Sequence, residues 1–437
     1  MQRRGGSIWL AVTACALAVL ATAPAQGAGF GIFEQGTKAM GMAGAFTAQA
    51  DDGSALFHNP GGIAFATESE LSGGFTFFKA TEADFEGANP FPGVGVHEEQ
   101  KLLSEILPHA YWVKPLGPTW KLAVGLNAPF GLTTEWENPD RFSGRLFSTK
   151  AALRVVDLNP ALGWQVTPEL GIGFGAILRF SDVELRRNVA AVNPFTLRAA
   201  DVGRLVLESD VEQGYGFNFG LLHKVSDVFS WGLSYRSKVK VEYGGDARVA
   251  QILTGNPQFD AVVRTRIPFD ADLPVETEIE FPDQASLGLA FLLTPDLLLE
   301  TDVNWTGWSS FDEVPINFTG GATNSLPDST IPEHWEDVYN YRAGVRWTVS
   351  DTKQWRFGYV FDETPQPEEA VSPLLPDADR NGFTVGYGYT GGKVKADFAL
   401  MYLDFDERTR ARSFEGESDF FGTYNTKAWL LGITVGF

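Results

Sequence analysis

Three arginines, Arg179, Arg342 and Arg346, sit in stretches where every second residue is apolar, and each falls on the other, polar set. A guanidinium enclosed on such a face can hold a ligand carboxylate through charge-assisted hydrogen bonds. The 55 acidic residues of the chain offer it ordinary ion-pair partners as well. Other reactive groups are sparse. No Gly-x-Ser-x-Gly occurs, and the five histidines (His58, His97, His109, His223, His334) are scattered without ligand spacing. None shares a strand face with an evident serine, as a hydrolase on a barrel wall would need. The one cysteine, Cys15, lies near the N-terminus. The chain is expected to be no enzyme, and to use no cofactor and no metal.

Apolar recognition has more candidates. Within 184–210, Pro194 is positioned to open a helix on which Phe195, Ala199, Val202 and Val206 would share a face. Within 244–282, Phe259, Val262 and Val263 have i, i+3, i+4 spacing, with Ile252 and Leu253 upstream. Packed together, two such stripes would leave a greasy groove, and each CH₂ moved into it gains about 0.8 kcal/mol.

The elements that must carry these residues are strands. From Trp429, the outward set is Trp429, Leu431, Ile433, Val435 and Phe437, and the set between is small or neutral save Leu430. The same period of two recurs in 171–180, 215–221, 296–305, 339–348 and 355–362. About fourteen strands are read, beginning near Leu71, Leu107, Thr119, Ala152, Glu169, Val211, Val228, Asp283, Asp296, Asp337, Lys353, Asn381, Lys393 and Thr423. Tight turns (Leu116-Gly117-Pro118, Thr167-Pro168, Ser226-Asp227, Thr294-Pro295, Ser350-Asp351-Thr352, Gly391-Gly392) alternate with long connections. Those long stretches are roughly 81–106, 128–151, 184–210, 244–282, 310–336, 365–380 and 409–422. Sorting short turns to one side and long loops to the other is the organisation of a transmembrane β-barrel. A β-sandwich, the rival all-β reading, has no reason to sort them.

Compartment and partners follow. Arg3 and Arg4 precede an apolar run from Ile8 to Leu20 and small residues to Ala28, which reads as a signal peptide over 1–27. A run that short falls below the roughly 20 residues of a spanning helix. Net charge −21 argues against nucleic acid. The expected surroundings are a lipid bilayer with lipopolysaccharide, reached by export.

Residues 28–68 do not alternate; they are small, glycine-rich and too short to fold alone. The lumen of a wide barrel (69–437) is the place to bury them, which makes the segment a plug, or hatch. Here the residues resemble a family. Ala28-Gly29-Phe30, Glu34-Gln35, the run Gly36 to Ala45, Ala50-Asp51-Asp52 and Asn59-Pro60-Gly61 are similar to the hatch of the FadL/TodX transporters. Pro129 to Trp136, Tyr235 to Lys240, Trp355-Arg356-Phe357-Gly358, Phe361 to Pro365 and Lys427 to Gly432 extend the resemblance along the mature chain. It implies an outer-membrane barrel of fourteen strands plugged by the hatch, taking up long-chain fatty acids or aromatic hydrocarbons. It also implies capture in a loop groove and lateral exit; a gating shift of Phe30, Ile32 and Phe33 on ligand binding is expected, and the C-terminal Phe437 resembles the closing signature of outer-membrane barrels, which implies assembly through it. Asn59 and Pro60 would pin the hatch. The family's usual Asn-Pro-Ala is Asn59-Pro60-Gly61 here, and Glu336 stands where fatty-acid members carry a lysine. The two substrate classes therefore both stay open, with a general porin or an outer-membrane lipase behind them.

Overall fold

The computed structural model describes residues 29–320, 326–416 and 419–437. Fourteen strands form one antiparallel ring: β1 Glu70–Gly87, β2 Ser104–Pro115, β3 Trp120–Asn127, β4 Lys150–Gln165, β5 Leu170–Asn193, β6 Glu212–Ser226, β7 Phe229–Arg236, β8 Gln284–Thr294, β9 Leu297–Thr306, β10 Val338–Ser350, β11 Lys353–Asp362, β12 Arg380–Gly391, β13 Val394–Phe405 and β14 Gly422–Gly436. Each pairs with the next, and β14 pairs back onto β1 from Ser72↔Gly436 to Gly87↔Gly422. Closure satisfies the edge groups that lipid could not. Every strand begins within three residues of the start read from the sequence. The signal-peptide stretch and Cys15 lie outside the described residues.

Alternation decides which side chains meet lipid. In β14, Trp429, Leu431 and Phe437 are exposed on the outer wall, while Ala428, Leu430 and Gly436 are buried inside. Leu430, the one large residue in the inner set, packs with Met40 and Met401 in the lumen. Trp120 and Trp164 stack on the outer surface at 5.6 Å, beside the short turns, as an interfacial girdle does.

The long connections are mostly strand, and one expectation fails. No helix opens at Pro194. β5 runs 24 residues to Asn193, and the chain returns as the strand Arg198–Ser209. Phe195 lies in the turn between them, 57% exposed. Two neighbours supply the returning strand with hydrogen bonds, β5 on one side and Val239–Gln251 on the other. Helical spacing of four apolar residues does not compete with two ladders. Val202 is the extra residue of a bulge, because Val189 opposes Gly203 while Ala190 opposes Asp201. The second stripe does form a helix, Pro257–Arg264, whose Asn256 side chain accepts from the Gln258 and Phe259 N–H groups. Phe259 and Val263 press it onto Val202, leaving Val262 half-buried.

Residues 29–66 contribute no strand to the ring and are almost wholly buried against its inner face. The glycines of that face make room. A Cβ at Gly173 would lie 2.1 Å from the Pro60 carbonyl oxygen, and one at Gly220 would lie 2.2 Å from Asn59 Oδ1.

Candidate functional site

The wall has a gap. β2 pairs with β1 from Ser104 upward, but with β3 only from Ala110 to Pro115. Ser104 to His109 have no ladder partner on that second side among the described residues. Higher up the wall closes again, where the Lys101 N–H donates to the Glu135 carbonyl at 2.7 Å. Two prolines flank the window, Pro108 in β2 and Pro129 just past β3, and neither has an N–H to give. Across the window, polar groups of the chain just past β3 are met by the N-terminal segment. The Gln35 side chain donates to the Ala128 carbonyl at 2.6 Å and accepts from the Ala128 N–H at 2.9 Å. The Ile32 N–H donates to the Pro129 carbonyl at 2.8 Å, and the Gly131 N–H to the Phe30 carbonyl at 3.1 Å.

A cavity open to the outside lies behind the window. Inside the barrel it is lined by Phe30, Ile32, Phe130, Leu153 and Leu430. At its mouth are Leu107, Val156 and Ile106, the last 64% exposed on the outer wall. A second, largely apolar cavity sits under the long connections, with Glu184 and Glu208 also in its lining. Its lining includes Val183, Leu185, Leu207, Tyr243, Ile279, Val314 and Ile316. Phe30, Leu132, Leu153 and Leu375 line both. Phe30 is thus one of four side chains standing between an outer and an inner chamber.

Aromatic rings hold that partition. Phe30 lies 4.6 Å from Trp308, 5.2 Å from Phe311, 5.5 Å from Trp335, 6.0 Å from Phe130 and 6.2 Å from Phe281, mostly edge to face. The Gly29 N–H before it donates to Asp377 Oδ2 at 2.8 Å. Asp377 is in the connection from β11 to β12, and its burial pushes the carboxyl above the usual aspartate range.

Among the residues singled out in the sequence, Phe30 and Ile32 line the chambers; the others are elsewhere. Arg179 is buried beneath the rings, with its guanidinium 4.7 and 4.5 Å from Phe130 and Phe281. Asp157 holds it in a bidentate pair, both bonds 2.8 Å. Arg342 donates to the Ala43 carbonyl at 2.7 Å and lies over the Phe33 ring. Arg346 donates to Gln49 Oε1 at 2.7 Å and pairs with Asp51 at 3.3 Å. Asn59 Nδ2 donates to the Thr47 and Leu221 carbonyls, and Pro60 follows it against the wall. Phe259, Val263 and Val202 form a cluster of their own, and Phe195 stands at a tip. Glu336 is exposed. Sequence reasoning did not single out Trp308, Phe311, Trp335 or Phe281, which come together from two connections, β9 to β10 and β7 to β8; their aromatic character was the only local signal. Pro108 inside a barrel strand was the readable sign of the gap.

Comparisons with known proteins agree with this architecture. A profile of the family described as Outer membrane protein transport protein (OMPP1/FadL/TodX) matches residues 18–437. A protein of Escherichia coli O6:H1 named Long-chain fatty acid transport protein is 22% identical, with 97% of each chain covered. The 47 kDa outer membrane protein of Pasteurella multocida is 26% identical, again over 97% of each. The crystal structure of a Pseudomonas aeruginosa FadL homologue superposes with a TM-score of 0.80 at 19% identity, covering 94% of this chain and 99% of the other. The Ralstonia pickettii toluene transporter TbuX superposes with a TM-score of 0.67 at 16% identity, covering 92% and 99%.

Proposed function

The chain belongs to the OMPP1/FadL/TodX family of outer membrane transport proteins, and from that premise we propose the route by which it works: capture outside, passage by Phe30, and exit sideways through the gap in the wall. It is an outer-membrane β-barrel transporter of hydrophobic compounds, in a family of channels rather than enzymes. The proposed ligand is a long-chain fatty acid. It enters the outer chamber, where each buried CH₂ contributes about 0.8 kcal/mol, so no chemical energy is needed for extraction from water. The front of the N-terminal segment, residues 29–35, is the hatch that shifts; the ligand then leaves between β2 and β4 into the bilayer. Phe437, exposed at the end of β14, is the proposed signal for barrel assembly.

One observation carries this reading. A single cavity begins beside the N-terminal segment in the lumen and ends on the lipid-facing wall, at the stretch where β2 has lost its neighbour. The ring cluster around Phe30 favours a second ligand class, monoaromatic hydrocarbons, because its edge-to-face geometry accepts another ring. Uptake of labelled oleate and labelled toluene, in cells lacking their own transporters, tests both. Leu107→Trp, which plants a ring in the window, is expected to bring uptake to background while the barrel still folds by heat-modifiable migration. Unchanged uptake in that variant would remove the lateral exit.

A further inference from the structure

Every cation of the window cavity is already held by a carboxylate. Six ionisable side chains line it: Glu34, Lys101, Glu105, Arg154, Asp377 and Arg380. Lys101 pairs with Glu135 at 2.6 Å, Arg154 with Asp182, and Arg380 with Asp362 at 2.8 Å. Asp377 accepts from the Gly29 N–H at 2.8 Å and from the Thr364 hydroxyl at 2.5 Å. Glu34 and Glu105 are left over. Among the described residues neither side chain has a hydrogen bond or an ion pair.

Position gives Glu34 a use. Its backbone is fixed on both sides. The Thr76 hydroxyl donates to the Glu34 carbonyl at 3.0 Å, and the Tyr111 hydroxyl to that of Gln35 at 2.7 Å. The side chain itself is half-buried in the cavity wall. Arg342 and Arg380 are near enough to feel its charge, but their N–H groups go to Asn340 and Ala43 and to Asp362. An ionised carboxylate accepts hydrogen bonds and donates none. With each cation matched by its own acid, Glu34 and Glu105 are a surplus of negative charge beside the route. That surplus opposes a second anion and offers acceptors to a head group that donates.

We propose that Glu34 selects ligands by their head group: its carboxylate accepts a hydrogen bond from an uncharged O–H, that of a long-chain alcohol or of a fatty acid carrying its proton, and turns a carboxylate away. This rests on the lateral route above and deepens it, because a fatty acid then passes the window as the neutral acid. Burial in an apolar chamber favours that form, the proton coming from water, and the bilayer beyond the window accepts it for the same reason. A ligand without a donor, such as an ester, gains nothing from Glu34.

The test is the initial rate of transfer of labelled oleyl alcohol, oleate and methyl oleate into cells lacking their own transporters, at about pH 8, where free oleate is ionised. For each compound the rate with Glu34→Gln is divided by the wild-type rate, which cancels every later step, and each variant is shown to fold by heat-modifiable migration. Glu34→Gln keeps the size of the side chain and removes its charge. The alcohol is expected to slow about fivefold, the difference between a charge-assisted and a neutral hydrogen bond, while oleate speeds up severalfold and the ester is unchanged. Glu34→Asp should keep the wild-type order. Unchanged rates for all three overturn the proposal, and so does an equal loss of all three, which would mean that Glu34 only shapes the passage. Should Leu107→Trp stop all three, the lateral route stands whatever Glu34→Gln does. If Leu107→Trp stops none, the route falls and the proposal with it.

Discussion

The two halves of the N-terminal segment are held in the lumen by different forces. The rear half is fixed by buried polar bonds to the wall. Asp302 Oδ2 accepts from the Phe46 and Thr47 N–H groups at 3.0 and 2.9 Å, and Glu300 Oε1 from those of Ala48 and Gln49 at 2.6 and 3.2 Å. Ser230 and Thr384 donate to the Ala48 and Gly41 carbonyls, and Asn218 to that of Leu56. The front half has a few backbone bonds at the edge of the window, the Gln35 amide, single bonds from Gly29 to Asp377 and from Tyr111 and Thr76 to the Gln35 and Glu34 carbonyls, and the rings around Phe30. Aromatic contacts of about 0.5–1.5 kcal/mol each can be replaced by an incoming apolar molecule. Nothing on a hydrocarbon replaces a carboxylate that accepts two buried N–H groups. The same chain segment is thus an anchor at one end and an exchangeable partition at the other.

The strongest way to break that contrast is Asp302→Ala. It leaves two buried N–H groups without an acceptor, each costing about 1–3 kcal/mol. Loss of at least a few kcal/mol in thermal unfolding, with new protease cleavage between 41 and 59, is the expected result. A variant as stable and as protected as the wild type would show that the rear half is held by something else. Phe30→Ala should act on the other end. It joins the two chambers, so uptake of a hydrophobic probe should rise severalfold while protection of 41–59 is kept. If cleavage of the rear half rises with it, the halves are not independent.

The smallest effect concerns Asp377, the acceptor for the Gly29 N–H. Its carboxyl holds a proton more firmly in the folded chain than at its ordinary value of 3.8. The sign follows: stability falls as pH rises from about 4 through the raised value, because the unfolded chain releases that proton first. Asp377→Asn, which cannot ionise, should flatten the dependence of the melting temperature over that window. An unchanged slope would place the titration on another group.

Much of this was legible in the residues. Period-two alternation gave fourteen strand positions to within three residues, because each strand must show one set to lipid and another to the lumen, and a one-residue slip would exchange them. The lumen-facing parity of Arg179, Arg342 and Arg346 came from the same rule. What each arginine touches did not. Asp157 lies on the neighbouring strand and Gln49 in the buried segment, and only register and docking bring them within bonding distance. The apolar stripe at Pro194 misled because helical spacing is a local property, while the hydrogen bonds of two flanking strands are not.

The sequence by itself therefore determined the barrel, its inner and outer faces, and the need to bury residues 28–68 somewhere, since each follows from side-chain polarity against a fixed backbone period. The tertiary structure decided where the wall opens and which rings surround Phe30. Those depend on which strands end early and which connections meet. Contacts between residues far apart in the chain are set by closure of the ring, and no local spacing records them.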